Sequence, residues 1–135
     1  MPRHWTSSAR SRAVSHGYRS GLEEQVAQSL KAAGIPVVFE ADKIAYTVPA
    51  RVAKYTPDFR LPDNSYIETK GRFLTADRHK HLLIKQQHPD ITIRFLFQNA
   101  NARISKASKT TYAMWCDKHG FEYAHKHIPP EWLTA

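Results

Sequence analysis

The stretch TPDFRLPDNSYIETKG, Thr56 to Gly71, reads as two short strands around a Pro-Asp-Asn-Ser turn. Side chains on a strand alternate between faces, so Phe59 and Leu61 point one way and Asp58 and Arg60 the other. On the second strand Ile67 opposes Tyr66, Glu68 and Lys70. Burying the apolar face fixes the register. Phe59 and Leu61 share a face with Ile67 only if the loop has an odd number of residues, as in a three-residue loop at Pro62–Asn64 or a five-residue one. Asp58 then faces Glu68, with Lys70 one step along. Carboxylates placed opposite each other repel. Two readings of this face stay open. One is a solvated hairpin in which Lys70 pairs with Glu68. In the other, the acids hold a hard cation such as Mg²⁺ or Mn²⁺, with a lysine at the rim.

Outward from the hairpin, SGLEEQVAQSLKAAG predicts a helix from about Ser20 to Ala33, because Leu22, Val26 and Leu30 recur every fourth residue. Ser20 is its expected N-cap, Glu23 stands at the capping-box position and Gly34 is a stop. The adjacent Glu24 is expected to face solvent. IPVVFE and KIAYTV read as strands, and PARVAKY as an extended connector. After Gly71, TADRHKHLLIKQQH predicts a helix closed by Pro89, ITIRFLF a strand, TTYAMWCDKHG a short helix ended by Gly120, and FEYAHKH a last strand. IPPEWLTA reads as a packed tail. The order gives a mixed α/β domain around one small sheet, spanning 18–135. Residues 1–17 read as a basic flexible arm.

Twenty Lys+Arg against twelve Asp+Glu give a formal charge of +8, and eight His add to it below neutral pH. With a pI near 9.8, this composition favours a polyanionic partner, most often nucleic acid. No apolar run approaches a membrane span and the N-terminus lacks a signal-peptide core. A single Cys116 forms no internal disulfide and suits a reducing cytoplasm. Cys116, Tyr18, Tyr112, Trp115 and Trp132 are expected in the core.

Pro57-Asp58, then Glu68 and Lys70, is the signature of the PD-(D/E)xK nuclease superfamily. The chain also resembles the phage endonuclease I family of Holliday junction resolvases. The matching segments are YRSGLEE (18–24), YTPDFRLP (55–62), IETKG (67–71), RHKHLLIKQQHP (78–89), CDKHG (116–120) and IPPEWL (128–133). The resemblance implies a restriction-endonuclease-like fold and a metal-dependent endodeoxyribonuclease. Such an enzyme cuts four-way junctions and other branched DNA in pairs, leaving 5′-phosphate ends. It implies the catalytic set Glu23, Asp58, Glu68 and Lys70. Asp58, Glu68 and the Thr69 backbone carbonyl would hold one Mg²⁺ or Mn²⁺, and Asp58 with Glu23 a second. Lys70 would position or deprotonate the attacking water.

The resemblance further implies a homodimer swapped through a bridge at 48–55, so that Glu23 comes from one chain and Asp58, Glu68 and Lys70 from the other. The family's long basic C-terminal tail has no match after Ala135, and the arm is expected to compensate in part. Charge proposes the DNA contacts. Arg3, Arg10, Arg12 and Arg19 lie on the arm or its end. Arg72, Arg78, His79, Lys80, His81 and Lys85 crowd the hairpin exit and next helix. Arg103, Lys106 and Lys109 sit in the polar loop. Two further readings are a catalytically silent branched-DNA-binding module, against which the intact acid and lysine set argues, and another nuclease of the superfamily.

Overall fold

The structure is a computed structural model that describes residues 17–48 and 51–134. Helix α1 (Gly21–Ala32) opens on Ser20, whose hydroxyl accepts the Glu23 N–H at 2.9 Å. Gly34, at φ +75°, turns the chain away from the helix, and the next amide, Ile35 N–H, donates to the Leu30 carbonyl at 2.9 Å. A side chain would strain that left-handed position. Strands β1 (Ile44–Val48) and β2 (Arg51–Tyr55) pair antiparallel as a separate two-stranded sheet.

Strands β3 (Phe59–Arg60), β4 (Tyr66–Lys70), β5 (Ile93–Phe97) and β6 (Glu122–His125) form the main sheet in that order. The first pair is antiparallel and the other two are parallel. Helix α2 (Thr75–Gln87) links β4 to β5, and α3 (Tyr112–His119) links β5 to β6. A 3₁₀ turn at Pro130–Leu133 seats Trp132 in the core.

The hairpin has the odd loop that its apolar parity requires. Phe59 pairs with Ile67 and Arg60 with Tyr66, and the Leu61 N–H closes on the Ser65 carbonyl at 2.8 Å, leaving Pro62–Asn64 as a three-residue loop. Asn64 takes the left-handed conformation at φ +68° that such loops need.

The sheet separates two cores. Phe59, Leu61, Ile67 and Leu96 meet Leu22, Val26 and Leu30 of α1 on one face. Phe95 and Phe97 meet Phe73, Ile84, Tyr112, Trp115 and the β1–β2 hairpin on the other. Val26 and Leu30 are fully buried, each contributing about 1.5–3 kcal/mol of apolar transfer. Cys116 is buried among the second set, and burial pushes its thiol up to about 12.

Two segments differ from the sequence reading. Residues 36–40 do not form a strand. Only Phe39 bridges Phe59, flanked by Arg60 N–H to the Val38 carbonyl (3.3 Å) and Glu40 N–H to the Asp58 carbonyl (2.9 Å). Pro36 has no N–H to give, and Glu40 at φ +50° breaks the extended path. Residues 51–55, read as a connector, are strand β2: their β-branched and long side chains pair Val48↔Arg51 through Ile44↔Tyr55. The arm at 1–16 lies outside the described residues.

Candidate active site

Glu23, Asp58, Glu68 and Lys70 gather where the N-terminus of α1 meets β3 and β4. Asp58 immediately precedes β3. Its Oδ2 accepts both the N–H (2.9 Å) and the hydroxyl (2.7 Å) of Thr69. Thr69 therefore touches the site through its amide and side chain, beside the carbonyl that the resemblance singles out. Glu23, in the first turn of α1, accepts the Arg19 N–H on Oε1 at 2.8 Å, one residue ahead of the cap position expected for it. One carboxylate oxygen each of Glu23, Asp58 and Glu40 lie within 4.8 Å of one another. Arg19 lies across this cluster, ion-paired to Glu40 and 3.9 Å from Glu23 Oε2.

Glu68 projects from β4 onto the aromatic face, beside Phe95 in the register. Its Oε1 accepts the Tyr55 hydroxyl at 2.6 Å and its Oε2 lies 3.3 Å from Lys70 Nζ. Lys70 is also 3.3 Å from Asp77 Oδ1, and Asp77 Oδ2 accepts the Leu74 N–H at the start of α2. The lysine thus stands between one acid of the sheet and one acid of a helix end.

The electrostatics are those of a charge-crowded, desolvated pocket. Burial, then the charge of Asp58, pushes the Glu68 carboxyl up to about 7. Burial and Asp58 raise Glu23 in the same sense, and burial raises Asp58 against its Thr69 hydrogen bonds. Burial opposes charge on Lys70, but Glu68 and Asp77 outweigh it and hold the ammonium above its usual value. Each acid would bind a proton or a cation more readily than an exposed carboxylate does.

The donor set suits a hard divalent ion. Oxygen ligands from Glu23, Asp58 and Glu68 match Mg²⁺ or Mn²⁺, whereas softer ions favour sulfur or imidazole. Glu68 stands outside the three-acid cluster, so Asp58 is the residue common to both halves of the site.

Three participants escaped sequence reasoning. Glu40 reaches the site only because the chain bends at its positive φ. Asp77 was legible at most as a helix-capping acid, and Tyr55 as one more residue of a connector. Glu24, expected in solvent, is 3 % exposed, and Gln28 donates to its Oε1 at 3.3 Å.

The proposed DNA contacts divide. Arg72, His79, Lys85, Arg103, Lys106 and Lys109 are exposed. Lys85 also donates to the Gly120 carbonyl at 3.1 Å, and Arg78 holds the Phe73 carbonyl and Thr75 hydroxyl. Lys80 lies 5.0 Å from the Tyr55 ring centre, and Arg19 is engaged by Glu40. His81 is fully buried, stacked edge-on to Tyr55 and Phe95, and contacts no surface ligand. Arg3, Arg10 and Arg12 lie outside the described residues.

The phage endonuclease I family matches residues 4–135. The chain belongs to this family. It is 45 % identical over 116 residues to endonuclease I of Escherichia phage T7, covering 86 % of this chain and 78 % of the relative. It is 46 % identical over 112 residues to endodeoxyribonuclease 1 of Enterobacteria phage T3, covering 83 % and 74 %. Among the described residues, no helix is long and apolar enough to cross a membrane.

Proposed function

We propose that the chain is a metal-dependent endodeoxyribonuclease that selects branched DNA, above all four-way junctions, and cuts it in pairs. The observation that carries the reading is the convergence of Glu23 and Asp58 beside the Glu68–Lys70 pair, in a member of an endonuclease family. Asp58, Glu68 and the Thr69 carbonyl would hold one Mg²⁺ or Mn²⁺, and Asp58 with Glu23 a second. Such ions would supply Lewis acidity at the scissile phosphate and lower the pKa of a bound water so that it can lose a proton and attack.

The chain's own residues do the rest. Thr69 fixes Asp58 by two hydrogen bonds. Lys70, whose ammonium Glu68 and Asp77 hold above its usual value, would position or deprotonate the attacking water and offset charge on the phosphate. Burial around Glu23, Asp58 and Glu68 keeps bulk water from competing.

A homodimer supports paired cuts by two-fold symmetry. In a single chain β2 folds back on β1, and this brings Glu23 and Asp58 together. Opening that hairpin at 49–50 into the bridge would let β2, β3 and β4 serve a partner with the same contacts. The exposed cations of α2's flank and the 98–111 loop suit phosphate contacts that fix position without reading bases.

The test is an end-labelled immobile four-way junction and its linear duplex control, each with Mg²⁺ and with Ca²⁺. Selective cleavage of the junction in Mg²⁺ and binding without cleavage in Ca²⁺ are expected. Lys70→Ala should bind the junction and leave it whole. Equal cleavage of duplex and junction overturns the branch selectivity, and cleavage by Lys70→Ala overturns its role.

A further inference from the structure

The geometry points to Tyr55 as the positioning residue of Glu68, fixing which carboxylate oxygen is presented to a divalent cation. This role rests on the reading of Glu68 as a cation ligand. Tyr55 is 1 % exposed, and its hydroxyl donates to Glu68 Oε1 at 2.6 Å inside the protein. Lys70 stands at the other oxygen, 3.3 Å from Oε2. The two oxygens therefore differ in kind. One meets a neutral donor locked in the core, and the other meets an ammonium shared with Asp77, 3.3 Å away.

The Tyr55 ring is itself held. His81 meets it edge-on, with centroids 5.1 Å apart and planes at 84°. Lys80 Nζ lies 5.0 Å from the ring centre. Both belong to α2, so the helix sets the ring, the ring sets the hydroxyl, and the hydroxyl sets the carboxylate. A free carboxylate would rotate about its last torsion, which is broad for glutamate. A buried donor on one oxygen removes that freedom before any ion binds. Such outer partners of ligating carboxylates are worth about 10–100-fold in metal affinity or activity.

The decisive variant is Tyr55→Phe, which keeps the ring against His81 and removes only the hydroxyl. Mn²⁺ is titrated into the metal-free full-length protein, followed by calorimetry and by the electron-spin signal of the free ion. Glu68→Ala is run alongside, with junction affinity measured in the absence of divalent metal. Tyr55→Phe should unfold cooperatively, bind the junction as wild type does, and bind Mn²⁺ on the order of 10–100-fold more weakly. Its kcat should fall while KM holds. A Tyr55→Phe protein with wild-type Mn²⁺ affinity and kcat, beside a Glu68→Ala protein that has lost both, overturns the assignment of Tyr55. A Glu68→Ala protein that binds Mn²⁺ as wild type does overturns the cation-ligand reading itself, and the role of Tyr55 with it.

Discussion

Thr69 gives both its amide N–H and its hydroxyl to a single oxygen of Asp58, at 2.9 and 2.7 Å. The strand that carries Glu68 and Lys70 thereby holds the acid that precedes the neighbouring strand. Thr69→Val keeps the β-branched shape and the amide bond but removes the hydroxyl bond. It should destabilise the protein by about 1–3 kcal/mol, because a buried carboxylate oxygen loses a donor. Cleavage should fall as Asp58 gains freedom. Chemical denaturation measures the first effect and junction cleavage the second; Thr69→Ser should recover most of both.

The dimer arrangement is tested by mixing lesions. A heterodimer carries Glu23→Ala in one chain and Lys70→Ala in the other. If segments after the bridge are exchanged, both lesions fall in one site and the second site is whole, so single-strand nicking of the junction persists. If each chain builds its own site, both sites are lesioned and the heterodimer is dead. Gel analysis of the two end-labelled strands separates the outcomes.

The acidic pocket predicts how stability depends on pH. Burial and Asp58 push Glu68 up to about 7 from an ordinary value of 4.5. Between those values the folded state keeps a proton that the unfolded chain has released. Folding stability from this group is therefore greatest at low pH and is lost as pH rises through that window. Glu23 and Asp58, also raised, act with the same sign. His81, held neutral by burial, acts with the opposite sign. The Glu68 contribution is therefore read as the difference in melting temperature between wild type and Glu68→Gln in a chelator, which should fall from about pH 4.5 to about pH 7. Stabilisation by added Mn²⁺ should grow over the same range, since a cation competes with the proton.

Junction affinity should weaken steeply with salt, by roughly a thousandfold or more between about 50 and 200 mM if six or more phosphates are contacted. Arg72→Ala, Lys106→Ala and Lys109→Ala should each lower the slope of log affinity on log salt by about one for a residue that meets phosphate. An affinity indifferent to salt removes the case for the basic surface.

The hairpin was legible because parity leaves little choice. Once Phe59, Leu61 and Ile67 must be buried together, the loop must be odd and Asp58 comes level with Glu68. Helices α1, α2 and α3 were legible from apolar spacing and stop signals to within a few residues. Strand β2 was not, because Arg51–Tyr55 is mostly exposed and carries no alternation of apolar and polar residues.

Glu40 and Tyr55 were illegible for another reason. Each reaches the site across a bend, at Glu40's positive φ and between Tyr55 and Phe59, where strand parity stops applying. Glu24 shows the converse failure: helix spacing alone gave it an outward direction, yet it is buried. Glu23 was visible by spacing only as a capping residue; its link to Asp58 came from resemblance.

Strands β1 and β2 pair from Val48↔Arg51 to Ile44↔Tyr55, with only residues 49 and 50 between them. A ladder closed by so short a link costs little entropy within one molecule, and exchange with a neighbour returns the same ladder. If the chain exchanges as proposed, the balance between the two would hang on mass action rather than on contact energy. In the proposed exchange, dilution would favour the self-closed form and crowding of protomers the exchanged one, and sequence change in the link would shift the balance.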